Sequence, residues 1–257
     1  MPVSRNPVIN LEDIVRYCDQ RLDVPGFPDY PGAFNGLQMQ NSGRVQKIGA
    51  AVDAGLVPFE NAAARGIDLL LVHHGMFWES PRPWTGVLHR KLEILTRADL
   101  AVYAAHLPLD AHVELGNNAL LAADLGLTRE RTFLRFGDRD IGLITTAGIS
   151  RTELGERLRA RFGTVTTLEF GSAAPSSVAI VTGGGYGALD ALVAAGVDTL
   201  VTGELKEHNF VFAQEHRLNL YACGHYATEV YGVRALAAEL SNRFGLPWEF
   251  VPSANPI

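Results

Sequence analysis

The sequence predicts an α/β protein built as two similar lobes, and three observations lead there. The apolar run Asp68-Leu-Leu-Leu-Val72 lies between Gly66 and Gly75 and ends in His73-His74. Such a run, bounded by turn residues, reads as a short buried strand. Two further histidines each follow a short apolar run and precede a carboxylate by four residues, as His106 with Asp110 and His225 with Glu229. Finally, the segment from Ile48 to Gly75 aligns without a gap on the segment from Val178 to Leu205, Gly66 falling on Gly196 and Asp68 on Asp198. Both segments read strand, Gly-containing turn, Ala-rich helix, Gly-x-Asp, strand. A strand-helix-strand unit of this kind makes a right-handed parallel crossover. An internal duplication is the reading this supports, and two ordinary crossover units alike by chance is the alternative.

The remaining elements follow in chain order. Asn10 caps a helix from Leu11 to Leu22, with Glu12 and Asp13 in its first turn. A Pro/Gly-rich loop from Val24 to Gly32 leads to Asn35-Gly-Leu-Gln-Met39, and the first strand-helix-strand copy follows. Met76 to Trp84 is a loop whose aromatics wall a ligand pocket or pack on another subunit. A helix near Gly86 to Ala98 precedes the strand that ends at His106. Residues Asn117 to Leu125 are helical, and the Arg-rich stretch Thr128 to Asp140 is the expected joint between lobes. A helix from Arg151 to Phe162, the second copy, a helix from Thr228 to Phe244 and a strand near Trp248 complete the chain. The first lobe is therefore expected to close at residue 127 and the second to open at 128.

Composition narrows the function classes. At 257 residues, 47% hydrophobic and 19% charged, the chain can form sizeable cores. A net charge of −6 without a Lys/Arg cluster disfavours nucleic acid as a partner. Cys18 and Cys223 are the only cysteines, which suits a reducing cytoplasm. Cys223 reads as a small buried hydrophobe rather than a soft metal ligand. No apolar leader or membrane-length segment is present, so a cytoplasmic location is expected.

Adjacent histidines in a strand normally point to opposite faces, and one half-buried and one solvated imidazole is the plain reading of His73-His74. At a strand end, where the backbone turns, both can face one cleft, and the ends of strands are where α/β sheets hold ligands. His73, His74, Asp110, His225 and Glu229 together offer three imidazoles and two carboxylates. Five ligands exceed the three of a single catalytic zinc, and suit two divalent ions sharing a carboxylate and a water. Their surplus positive charge would attract a small anionic substrate, a nucleotide among them. Nitrogen and oxygen donors suit Zn, Fe, Mn, Co or Ni alike. On the repeat alignment His74 meets Glu204 and His73 meets Gly203. Glu204 is then a general base or a solvated loop residue, and Lys206 an anion contact. Thr182-Gly-Gly-Gly-Tyr-Gly187 lacks nucleotide-loop spacing and reads as a tight strand-to-helix turn. His89, His112 and His216 lack partners at useful spacing and read as structural or solvated.

These pieces resemble the Nif-three-like dinuclear metal-centre proteins, also labelled GTP cyclohydrolase type-two homologues. The likeness rests on Asn35-Gly-Leu-Gln, His73-His74-Gly75, His106-Leu-Pro-Leu-Asp110, Thr202-Gly-Glu-Leu-Lys206 and Gly224-His-Tyr-Ala-Thr-Glu229, in family order over most of the chain. It implies two α/β lobes around a metal-bearing cleft, with the N- and C-terminal ends sharing a lobe, so that residues 1–127 with 222–257 form the first and 128–221 the second. It also implies a toroidal hexamer, and His73, His74, Asp110, His225 and Glu229 as ligands of two metal ions. Glu229 is the candidate bridge. A cyclohydrolase-like hydrolase would use Glu204 or His106 as its catalytic proton carriers. A phosphoester hydrolase, or a non-catalytic metal-binding or adaptor protein, fits the same residues. The chain departs from its relatives at Phe34, where they tend to carry an acidic residue before the Asn.

Overall fold

A computed structural model describes residues 7–78 and 81–257. Its elements in order are β1 (Ile9–Asn10), α1 (Leu11–Arg21), β2 (Gly36–Met39), β3 (Arg44–Val45), β4 (Ile48–Asp53), α2 (Leu56–Ala64), β5 (Leu69–His74), α3 (Val87–Arg97), β6 (Ala101–Ala104) and α4 (Leu107–Asp110). They continue with α5 (Asn117–Asp124), β7 (Thr128–Phe136), β8 (Arg139–Thr146), α6 (Arg151–Phe162), β9 (Thr166–Glu169), β10 (Ser177–Val181), α7 (Leu189–Ala194), β11 (Thr199–Thr202), α8 (Asn209–Glu215), β12 (Asn219–Ala222), α9 (His225–Phe244) and β13 (Trp248–Phe250). The fold is α/β, as the sequence predicts. No helix among the described residues is long and apolar enough to cross a membrane.

Two compact units emerge. One holds the residues up to Leu109 with Gly232–Asn255, and the other holds Asp110–Tyr231 with Pro256–Ile257. The divisions expected from the sequence fall at 127/128 and 221/222. Core packing accounts for the difference at the first: Leu121, Ala122, Leu125 and Leu127 lie in the second unit's core with Leu154, Leu158 and Val178. The stretch Thr128 to Asp140, read as a joint, is instead most of an antiparallel hairpin in which β7 pairs with β8. Its first strand, on the sheet edge, exposes Thr128 through Thr132 and buries Phe133, so it lacks the apolar alternation that announces a strand.

In the first unit the sheet order is β13-β4-β5-β6-β2. The pairs β13/β4, β4/β5 and β5/β6 are parallel, and β2 closes the edge antiparallel to β6. Both β4 and β5 are buried along their first five residues, the pattern of strands covered on two faces. Leu70, Val72, Phe59, Ile67, Leu95 and Val102 share one core. Asn10 caps α1 as expected, its side chain accepting from the Glu12 amide at 3.0 Å.

The second unit has the order β7-β8-β10-β11-β12-β9, with β10, β11 and β12 parallel. Successive residues of β10 serve opposite faces: Val178 and Ile180 enter one core, Ala179 and Val181 another. Here β9 closes the edge antiparallel to β12, as β2 does to β6. The parallel register repeats too. Gly49 opposes Leu70 in the first unit, and the aligned Ala179 opposes Leu200 in the second.

The Gly-x-Asp repeat has a physical basis. Gly66 and Gly196 end α2 and α7 at φ +63° and +69°. In each, the next residue's amide reaches back five residues, Ile67 to Ala62 at 3.1 Å and Val197 to Leu192 at 3.2 Å, closing a Schellman motif. The same motif ends α8, but there the left-handed residue is Arg217 at φ +54°. An L side chain in that conformation costs roughly 1–2 kcal/mol, and glycine returns part of the gain as unfolded-chain entropy, about 0.5–1 kcal/mol. Arg217→Gly is therefore expected to stabilise the protein by about 0.5–1 kcal/mol, read as a raised midpoint in chemical denaturation.

Candidate metal centre

Three histidines gather at the C-terminal ends of β5 and β6. His73 is fully buried and His74 half-buried at the end of β5, and His106 follows β6 by two residues. Their ring centroids lie 4.9 Å (His73–His74), 5.0 Å (His73–His106) and 5.7 Å (His74–His106) apart. One nitrogen of each ring falls within 4.8 Å of one from each of the others. That spacing suits a shared cation.

Each ring has its Nδ1 held by an oxygen that can only accept. His73 Nδ1 faces the Ala105 carbonyl at 2.9 Å, His74 Nδ1 the Asp53 carboxylate at 2.9 Å, and His106 Nδ1 the Asp29 carboxylate at 2.8 Å. An acceptor at Nδ1 fixes the hydrogen there and leaves the lone pair on Nε2, the arrangement that supports a histidine ligand. Burial works against the Asp29 charge, but the hydrogen bond and charge of His106, with Asn35 and the Tyr30 amide, hold its carboxyl below the usual range. Trp78 stands edge-on to His106 at 4.8 Å, and Tyr30 lies at 6.1 Å. Glu79 and Ser80, inside the loop read from Met76 to Trp84, lie outside the described residues.

The second unit presents carboxylates. Asp110 is buried and accepts from Asn117 Nδ2 at 2.7 Å and Thr182 Oγ1 at 3.3 Å. One turn of α9 sets His225 Nε2 3.1 Å from Glu229 Oε1, and Glu204 Oε1 lies 3.6 Å from His225 Nδ1. Burial lowers the His225 pKa, but the hydrogen bond and charge of Glu229, helped by Glu204, raise it above the ordinary value.

The Gly-rich turn joins these groups. Gly183 donates to Thr228 Oγ1 at 3.0 Å, and Gly185 to Thr202 Oγ1 at 3.0 Å. The Gly183 carbonyl accepts from the Gly203 and Glu204 amides at 3.0 and 3.1 Å. A Cβ at Gly183, where φ is +63°, would overlap Glu229 Oε1. The turn is thus a spacer that admits the Glu229 side chain, consistent with the tight-turn reading.

The other sequence candidates settle plainly. Cys223 lies in a hydrophobic core, where burial pushes its thiol up to about 12, so it serves as a small hydrophobe. His112 Nδ1 accepts from the Glu114 and Leu115 amides at 3.1 and 3.0 Å, and His216 stacks on Phe212 at 4.2 Å. Sequence reasoning misses Asp29 and Asp53, which steady the histidines. Neither sits near its histidine in sequence, and only the register pair Asp53–His74 carries a trace, through strand alignment.

Two outcomes follow. Gly183→Ala should cost roughly 1–2 kcal/mol for its left-handed backbone and dislodge Glu229 from beside His225, read as a lowered melting temperature, whereas Gly187→Ala, with open space at its Cβ, should leave thermal stability unchanged. In metal-free protein the raised His225 pKa means that its pair with Glu229 stabilises the fold below the ordinary histidine range and fades as pH rises through the raised value. The melting-temperature difference between wild type and His225→Gln should therefore shrink from acidic to alkaline pH.

The chain is 40% identical over 250 residues to a Deinococcus radiodurans protein named GTP cyclohydrolase 1 type 2 homolog, covering 95% of this chain and 93% of that one. The crystal structure of TTHA1606 from Thermus thermophilus superposes with a TM-score of 0.83 at 38% identity, over 97% of this chain and all of that one. The protein ybgI, described as of unknown function, gives a TM-score of 0.89 at 34% identity with the same coverage. Residues 9–256 match the family profile, and the chain belongs to the Duf34/NIF3 (NGG1p interacting factor 3) family.

Proposed function

We propose that the protein binds two divalent metal ions through His73, His74, Asp110, His225 and Glu229 and acts as a metal-dependent hydrolase on a nucleotide or another phosphorylated small molecule. The observation that carries the reading is the histidine group of the first unit, three rings whose Nδ1 atoms are all secured by acceptors. This donor set fits Zn, Fe, Mn, Co or Ni. His106 belongs with the ligand candidates as well as with the proton carriers, because its ring lies within the same group. The name shared by relatives such as the Deinococcus protein supports a cyclohydrolase-like reaction.

Such ions, when bound, would polarise the substrate and make water nucleophilic at neutral pH. The chain's own residues have the remaining tasks. Glu204, half-buried beside His225, is placed to accept a proton at Oε1. Lys206 rests its Nζ 3.7 Å from the Tyr186 ring centroid and offers a cation to an anionic group. Tyr30 and Trp78, part-exposed around His106, offer faces on which a planar base can stack. A ring of six copies in the cytoplasm, implied by the family resemblance, belongs to the same proposal. It is checked by light scattering on the purified protein.

Elemental analysis of protein purified without tag or chelator is expected to find about two transition-metal equivalents per chain. His73→Ala or Glu229→Ala should reduce this to one or fewer with the fold intact, since both side chains sit at element ends. Glu204→Gln should keep its metal and lose turnover of any nucleotide or phosphoester that the wild type hydrolyses. Absence of uptake on adding Zn, Mn or Fe would overturn the metal reading. Full metal content with no turnover across such substrates would favour the non-catalytic metal-binding or adaptor role.

A further inference from the structure

Asp29 sits in the Pro/Gly-rich loop between α1 and β2, and its side chain is 6% exposed. Four donors converge on it. Oδ1 accepts from the Tyr30 amide at 2.7 Å and faces His106 Nδ1 at 2.8 Å. Oδ2 accepts from Asn35 Nδ2 at 2.8 Å and the Leu107 amide at 2.9 Å. Asn35 is itself fixed, because its Oδ1 accepts from the His106 amide at 2.7 Å. Both the ring of His106 and its backbone are thereby tied to one loop. A buried carboxylate saturated in this way contributes nothing to a hydrophobic core. What it determines is which nitrogen of His106 carries the hydrogen.

We propose that Asp29 is a positioning residue that sets His106 in the Nδ1–H tautomer and so directs the Nε2 lone pair toward the neighbouring His73 and His74. The inference rests on the metal-binding reading of that histidine group. The donor pattern gives it a sharp consequence. In Asp29→Asn the amide nitrogen must replace one of the two oxygens. At the Oδ2 position it would meet two donors, Asn35 Nδ2 and the Leu107 amide, and Asn35 cannot turn without abandoning the His106 amide. At the Oδ1 position only the Tyr30 amide is fixed, since an imidazole can exchange its donor and acceptor nitrogens. The asparagine therefore turns its NH2 toward His106, which accepts at Nδ1 and carries its hydrogen on Nε2. That tautomer has its lone pair on the wrong side for a ligand. The same inversion disables a histidine held by a buried Asp in serine proteases.

The test is nitrogen-15 NMR of the His106 ring in the full-length, metal-free protein, paired with zinc affinity measured by chelator competition. Expected are an Nδ1–H tautomer in wild type and in Asn35→Ala, an Nε2–H tautomer in Asp29→Asn, and zinc binding weakened about 10–100-fold in Asp29→Asn. An Nε2–H tautomer in wild type would overturn the proposal even if the variants failed to fold. So would an unchanged tautomer in Asp29→Asn, or lost zinc affinity there without tautomer inversion. If wild type takes up no zinc yet the tautomer inverts as expected, the metal reading fails alone and the positioning role of Asp29 stands.

Discussion

Everything at the histidine group depends on the parallel register of β4, β5 and β6. In that register Asp53 lies directly opposite His74, which is how a carboxylate comes within 2.9 Å of its Nδ1. Ala105 continues the same ladder, its amide donating to the Val72 carbonyl at 2.9 Å while its own carbonyl receives His73 Nδ1. A slip of one residue would carry His73 to the opposite face and separate both pairs. Burial forbids the slip. Leu70 and Val72 are held in the core that also contains Phe59, Ile67 and Val102, so the hydrophobic pattern of β5 and the aim of its terminal histidines are one constraint.

The second unit keeps the same plan and ends it differently. Where the first has Val72-His73-His74, the aligned positions are Thr202-Gly203-Glu204. A Cβ at Gly203 would come within 2.6 Å of the Gly183 carbonyl oxygen and 2.7 Å of His225 Cα. No imidazole fits there, because the Gly-rich turn and the start of α9 occupy the space. The candidate ligand histidine of this unit comes from the helix instead, with Glu229 one turn along. The first unit thus carries its candidate imidazoles at strand ends, while the second carries His225 with carboxylates at a strand exit, a helix start and a short helical turn.

Much of this is legible in the sequence, and the gaps have physical causes. The strands ending at His73-His74 and before His106 announce themselves because buried parallel strands are short uninterrupted apolar runs. The repeat is readable because Gly66 and Gly196 meet one requirement, a left-handed residue after a helix, which glycine meets without strain. The hairpin of β7 and β8 is illegible because the edge strand turns most of its residues to solvent. Asp29 lies 77 residues from His106, in a loop whose prolines and glycines suggest only a connection. Nothing local marks a residue whose four donors come from three segments.

The Gly-rich turn also bears on what can bind. Two of its amides are already given to threonine hydroxyls, Gly183 to Thr228 and Gly185 to Thr202, so they are not available to cradle a phosphate. The groups around each set of ligand candidates are mostly acidic. Asp29 and Asp53 stand behind the histidines of the first unit, while Asp110, Glu204 and Glu229 accompany His225 in the second. The whole chain is acidic as well, at −6. An anion approaching either set without cations meets net negative charge. On the proposed metal-centre reading, cations would therefore have to bind before an anionic substrate, and its affinity would follow how completely the cation sites are filled.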